Sequence, residues 1–391
     1  MSPIRSATIV ALASAVLATT LTGCSFGAGQ EDASPIVIAA DLELSGASAP
    51  IGKAYQRALE LKVEQLNSSG ALGERKIKLQ VKDNRSDASE SLRNIGDFSN
   101  DSKVSAIIMG GCNECAVGAV RTINEKKIPT IALAASGAVA DPVADRRYVF
   151  KLAPNAADSA DALTTELRRR AIRKVAVLYS DDDYGREGLD ALGGEFRKAG
   201  IKLLDQENVK GTDTDVSQQV RKLTRNDPDA LVIWTPPEQA TLAAVSATQA
   251  KFTGSLFLDA AAAGDLFLPG GRATERATLV FTQTMVIDDV IATTPAKAAR
   301  RQWFQDYTAR FGGYHGFSSF AADAVQLVAD ASLRAGGGDR VNRDGIRDVL
   351  ETSQLDGLSG PIRMTPDNHS GLMPQALTTL VARGGRWRLA S

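Results

Sequence analysis

Short apolar runs alternate with amphipathic segments along most of the chain, and the whole series stops and starts again once. That pattern restricts the possible folds more than any other feature. Pro35 to Asp41, PIVIAAD, is a strand-like run, and after the loop LELSGASAPIG the segment Lys53 to Asn67 puts Ala54, Ala58, Leu61 and Val63 near one helical face. KIKLQVKD alternates Ile77, Leu79 and Val81 with polar residues, as a strand with one solvated face does, and Leu92, Ile95 and Phe98 return to helical spacing. VSAIIMG and IPTIAL are β-branched runs, with a helix marked between them by Ala116, Val117, Val120 and Ile123. The second series begins at KVAVLYS and continues through GREGLDALGGEFRKAG, IKLLDQENV, DVSQQVRKLTRN, DALVIWT, PEQATLAAVSATQAK and GSLFLD. Strands alternating with helices predict parallel sheets, and two such series predict two domains of similar build. YVFKLAPN, carrying Pro154, reads as an extended crossover between them. After Thr282 come helices over RRQWFQDYTARFG and FSSFAADAVQLVADASLRAG, then strand-like pieces in LSGPIRMTP and LTTLVARGGRWRLA.

The N-terminus predicts the compartment. Arg5 precedes IVALASAVLATTL, a basic start and an apolar stretch of secretory type, and Leu21-Thr22-Gly23-Cys24 follows. This ending looks like the lipobox of bacterial lipoproteins. The resemblance implies a signal peptide over residues 1–23, a diacylglycerol thioether and an acylated amine on Cys24, and a polar tether over residues 24–34. The other reading is an ordinary signal peptide with an incidental cysteine. Two or three acyl chains anchor a protein stably where one does not, since each buried methylene adds about 0.8 kcal/mol. No other apolar run approaches the ~20 residues of a membrane span. The expected location is the cell membrane, with a lipid-anchored body on the extracytoplasmic side. The remainder of the 391-residue chain is long enough for two domains with cores of their own. A formal net charge of −1 without basic clusters argues against a nucleic-acid partner. Two histidines, His315 and His369, leave little material for acid–base or metal chemistry.

The stretch GGCNEC falls where a strand ends and a helix begins. With Cys24 set aside for lipid, three cysteines resolve into one anchor and one pair, and an oxidising compartment predicts a Cys112–Cys115 disulfide. So short a loop stabilises by only about 2 kcal/mol, against roughly 4.7 for a loop of 100 residues. A dithiol redox centre shares this strand-to-helix context. A zinc site from Cys112, Cys115, His315 and His369 lacks a close second ligand pair, so no metal is expected. GASAPIGKA has five residues between its glycines where a phosphate loop has four, and Ala54 stands where that loop needs a hydroxyl. The run Asp181-Asp182-Asp183 reads as a solvated loop before a cation site. Asn67-Ser68-Ser69 reads as a helix-ending turn. No nucleophile elbow or dinucleotide fingerprint is present.

The order of LSGASAPIGKAYQRALELKVEQLN, KLQVKDNRSD, GGCNECAVGAV, ALAAS, YVFKLAPN, VAVLYSDDDYGREG, SSFAADAVQLVADA and LDGLSGPIRMTPDNHSGL resembles the type I periplasmic binding proteins of branched-chain amino acid and amide ABC importers. The resemblance runs from Pro35 to Leu389. It implies an α/β fold of two doubly wound lobes with parallel sheets joined by three crossover strands. Lobe 1 would take residues 35–152 and 288–357, and lobe 2 residues 153–287 and 358–391. Hinge passages are expected near Leu152–Asn155, Thr284–Asp288 and Leu358–Ile362. The implied ligand-binding residues are Ser45, Cys112, Asn113, Ala134, Ala135 and Ser136 on the first lobe, with Tyr184, Trp234 and Asp259 on the second. Cys112 and Asn113 stand where the family usually has serines. An ungapped match puts alanine at the family's acidic position, with Asp259 about two residues early, and Glu114 adds a carboxylate beside the loop. Ser136 has a plainer reading as the cap of a turn, and Tyr184 and Trp234 as packing within a lobe. The resemblance implies a non-enzymatic receptor without a cofactor, which captures a small polar ligand (an amino acid, an amide or a related molecule) for ABC permease subunits. A sensory or regulatory receptor of the same fold is the alternative, followed by a dithiol oxidoreductase using Cys112 and Cys115.

Overall fold

The computed structural model describes residues 34–46, 48–263, 267–336 and 341–390. The signal peptide and Cys24 lie outside these residues. The first series of elements is β1 (Ile36–Leu42), α1 (Ala49–Ser69), β2 (Ile77–Asp83), α2 (Ala88–Asn100), β3 (Val104–Met109), α3 (Asn113–Glu125), β4 (Thr130–Ala132) and β5 (Val149–Lys151). Its strands form one parallel sheet in the order β2-β1-β3-β4-β5. β1 and β3 are buried at every position, as strands covered on both faces must be, and this explains sequences that are apolar apart from Asp41 and Ser105. β2 lies at the sheet edge and is largely half-exposed, which accounts for its alternation.

The second series is α4 (Ala156–Arg169), β6 (Lys174–Ser180), α5 (Asp183–Ala199), β7 (Lys202–Val209), α6 (Ser217–Thr224), β8 (Ala230–Trp234), α7 (Pro237–Gln249), β9 (Ser255–Leu258) and β10 (Thr278–Thr282). The helices α8 (Pro295–Phe311), α9 (Ser318–Arg334) and α10 (Arg343–Leu350) follow, then β11 (Gln354–Asp356), β12 (Pro361–Arg363), β13 (Leu377–Arg383) and β14 (Arg386–Leu389). The second sheet runs β14-β13-β10-β9-β8-β6-β7, with β6 to β10 mutually parallel and the terminal hairpin β13–β14 added antiparallel. α8 returns to the first lobe, where Asp306 accepts a 2.9 Å hydrogen bond from Gln65 of α1.

Local chemistry marks the element ends. Asp87 accepts from the Glu90 amide to start α2, and Asp182 accepts from the Gly185 amide to start α5. α1 and α8 stop at Gly70 (φ +74°) and Gly312 (φ +83°), left-handed positions that favour glycine. Helix α4 carries few large apolar residues and is not evident from a search for strong periodicity. Its Ala156, Ala160, Leu163 and Leu167 nevertheless form one buried stripe.

The chain passes between lobes in three places. Beyond β5, the amide of Gly371 donates to the Lys151 carbonyl and the Lys151 amide to the His369 carbonyl, both at 2.9 Å. Beyond β10, the chain winds through 3-10 turns over Gln283–Asp289, which bury Thr284, Val286 and Ile287. The turn of the β11–β12 hairpin is held from α9, where Asp323 accepts from the amides of Leu358 (2.8 Å) and Ser359 (2.7 Å) and from the Ser359 hydroxyl (2.6 Å). The Thr284 hydroxyl donates to the Leu358 carbonyl and ties the last two passages together.

In both sheets the strand order reverses once, between β1 and β3 in the first and between β6 and β8 in the second. Ligands of open α/β sheets bind outside the carboxyl ends of strands at such points, because the loops there diverge to opposite faces.

Candidate functional site

At the carboxyl end of β3 the chain turns through Gly110 and Gly111 into α3, and Cys112–Cys115 forms a disulfide with Cα atoms 5.2 Å apart. The bond closes the first turn of the helix, where the Cys115 amide donates to Cys112 Sγ at 3.1 Å. The amides of Gly111 and Cys112 point at a partner that the periodicity does not reveal. Glu43, just past β1, accepts from them at 3.2 and 2.9 Å. A side chain at Gly110 would place its Cβ 2.1 Å from this carboxylate, so any larger residue would displace Glu43. Burial raises the Glu43 pKa, and the amide bonds offset only part of that effect. Glu114 is exposed to solvent.

The end of β4 supplies the rest of this wall. Ala134 is buried, and Ala135 packs against a lobe 2 cluster that contains Tyr184 and Trp234. The Ser136 amide donates to Asn113 Oδ1 at 2.9 Å. The Ser136 hydroxyl accepts from the Ala138 amide at 3.3 Å, the turn-capping role, and also donates to Glu187 Oε2 at 3.1 Å. The Gly137 amide donates to both Glu187 oxygens, at 3.1 and 2.9 Å. Glu187 belongs to α5, so these bonds cross from one lobe to the other. Ser45 is held differently, with its hydroxyl donating to Asp83 Oδ2 at 2.7 Å in the loop between β1 and α1.

The opposing wall is built on β6, β8 and β9. Tyr184 lies in the first turn of α5, its ring centroid 5.9 Å from that of Trp234 at the end of β8. Its hydroxyl donates to Asp259 Oδ2, which also accepts from the Ala261 amide at 3.0 Å. The structure thus brings Tyr184, Trp234 and Asp259 together. Gly188 lets α5 pass over the indole, since a Cβ there would lie 2.3 Å from Trp234. Among the described residues, Asp259 Oδ1 and Trp234 Nε1 are buried without a well-formed hydrogen bond, with the amides of Thr235 and Asp259 itself as further nearby donors to that carboxyl. Such atoms are costly in a folded protein and are commonly completed by a ligand or water. Burial pushes the Asp259 carboxyl up to about 8. Lys151, fully buried at the end of β5, donates to Asn155 Oδ1 at 2.6 Å, and burial lowers its ammonium to about 8 while Glu187 and Asp158 act the other way.

The site therefore comprises two facing sets of polar groups at the switch points of two parallel sheets. The profile of the family described as periplasmic binding protein matches residues 35–385. The chain belongs to the periplasmic binding protein family. This family binds ligands outside the cytoplasm, and the two-lobed fold is its type I form. Over 202 residues the chain is 27% identical to "Leu/Ile/Val-binding protein homolog 7" of Brucella abortus (strain 2308), an alignment covering 48% of this chain and 49% of that protein. The chain spans about half the length of the curated relatives it matches. Among solved structures, an extracellular ligand-binding receptor from Rhodopseudomonas palustris HaA2 superposes with TM-score 0.83 at 24% identity, covering 91% of this chain and 99% of that one. A solute binding protein of an ABC transporter from Rhodopseudomonas palustris BisB5, in complex with 3,4-dihydroxy benzoic acid, gives 0.78 at 18% identity, covering 90% and 95%.

The acidic run before α5 is engaged locally: Asp182 caps the helix, and Asp181 and Asp183 pair with Arg186. Among the described residues no group of acids, histidines and cysteines is arranged to hold a metal ion. No helix among them is long and apolar enough to cross a membrane. Glu43 and Glu187 are the wall residues that sequence reasoning missed. Glu187 had one available signal, standing three residues after Tyr184 and hence on the same helical face.

Proposed function

We propose that the protein is a lipid-anchored extracytoplasmic receptor that captures a small polar solute between its lobes and delivers it to ABC permease subunits. The observation that carries this reading is the pair of polar walls at the switch points, with Asp259 Oδ1 and Trp234 Nε1 buried without a well-formed hydrogen bond on one of them. Leucine-type and aromatic solutes appear in the names of similar proteins, which supports a small organic ligand. In this reading the ligand contacts Cys112, Asn113 and Ser136 on one side and Tyr184, Trp234 and Asp259 on the other. Contact with both lobes favours the closed state, and binding shifts a pre-existing equilibrium toward it. Cys24 carries the anchor, which keeps the receptor near its permease.

A thermal-shift screen of the purified protein carrying Cys24→Ser tests this. Amino acids, amides, urea-like compounds and small carboxylates form the panel. A true ligand at about 100 times its Kd adds roughly 2.7 kcal/mol of stability and is readily seen. Silence across the panel would overturn the reading. The anchor is tested separately by acyl labelling in cells, which is expected to disappear, together with membrane retention, in Cys24→Ser.

A further inference from the structure

Several donors on the first lobe's wall are already in use. Glu43 takes the amides of Gly111 and Cys112, Asn113 takes the amide of Ser136, and Glu187 takes the Ser136 hydroxyl and the Gly137 amide. A hydroxyl and an amide converging on two carboxylate oxygens make a seat for a carboxylate, and here the occupant is supplied by the opposite lobe. Gly137 is fitted to that occupant, since a Cβ there would lie 2.7 Å from Glu187 Oε1. A solute carboxylate reaching this wall meets Glu187 as a like charge and finds these donors taken. On the second wall the open atom is a carboxyl oxygen, Asp259 Oδ1; with Tyr184 and Ala261 donating to Oδ2, the neutral acid presents an O–H from Oδ1 that suits an amide carbonyl, and the ionised acid suits an amine N–H.

We propose that Glu187 is a resident carboxylate that fills the first lobe's anion seat, holds the two lobes together without ligand, and turns the cleft away from carboxylate solutes toward amines and amides. The choice of solute class rests on the receptor reading above, whereas the interlobe tie does not. Specificity arises by exclusion here, because the competing group is built into the protein.

Two measurements on the Cys24→Ser protein and its Glu187→Ala, Glu187→Gln and Gly137→Ala derivatives test the proposal, after thermal melts show that each is folded. Small-angle X-ray scattering without ligand reads the tie. Glu187→Ala and Gly137→Ala are expected to have a larger radius of gyration than the parent, and profiles that superimpose on the parent would overturn the proposal. Calorimetry with matched sets (leucine, leucinamide and isoamylamine; lysine, lysinamide and cadaverine) reads the selectivity. In the parent, the amide and amine of a binding set should be held roughly tenfold or more tighter than the acid. That preference should shrink by about the same factor in Glu187→Ala, and in Glu187→Gln to the extent that charge causes it. A parent that binds the acid as tightly as its amide would sink the proposal. If Glu187→Ala expands while no set binds any variant, the tie stands and the receptor reading fails.

Discussion

Burial holds Asp259 protonated through the neutral range, and this has a consequence for stability at the scale of the single residue. The group would ionise near pH 3.8 in the unfolded chain but near 8 in the native one. Its contribution is therefore full below pH 3.8 and is lost as pH rises toward 8, because the native state binds the extra proton across that window. The unfolding free energy from urea titrations between pH 4 and 8 should fall by up to about 1.4 kcal/mol per pH unit from this group, and Asp259→Asn should flatten the slope. Lys151 behaves in the opposite sense. Its ammonium is lowered from 10.5 to about 8, so the unfolded chain holds the extra proton between those values and stability rises with pH there. Lys151→Met should remove that rise, and the two windows are separate enough for one titration series to resolve both.

At the scale of the element, α3 and α5 carry the site by different means. The Cys112–Cys115 bond shapes the entry to α3 and closes only a short loop. Replacing both cysteines with serine should cost about 2 kcal/mol in urea unfolding and leave the fold intact. α5 depends on closeness. Gly188→Ala would drive a methyl into the Trp234 indole, and overpacking of this kind costs about 1–3 kcal/mol. The expected signs are a lower urea midpoint and changed tryptophan fluorescence. Most elements were legible because burial on both faces writes mainly apolar runs into β1, β3, β6 and β8, while the glycine stops of α1 and α8 stand out in the chain. Helix α4 was missed because its buried stripe leans on alanines, which mark a face only weakly.

Over the whole molecule, the lobes are coupled through the passages between them as well as through Glu187. Asp323 on α9 binds the turn at Leu358 and Ser359 with three hydrogen bonds, and Thr284 joins that turn to the second passage. Asp323→Ala would strand buried amides and is expected to cost about 3 kcal/mol or more in urea unfolding. The order of strands and helices, the two-series organisation and the placing of GGCNEC at a strand-to-helix junction are written locally in the chain. Each of these follows from periodicity and end signals within a few residues. What the wall donors hold came from the folded molecule alone. Glu43 meets Cys112 across 69 positions of sequence and Glu187 meets Gly137 across 50. A carboxylate's partner at such a distance depends on how two sheets stack and face each other, which leaves no periodic trace in the residues around it.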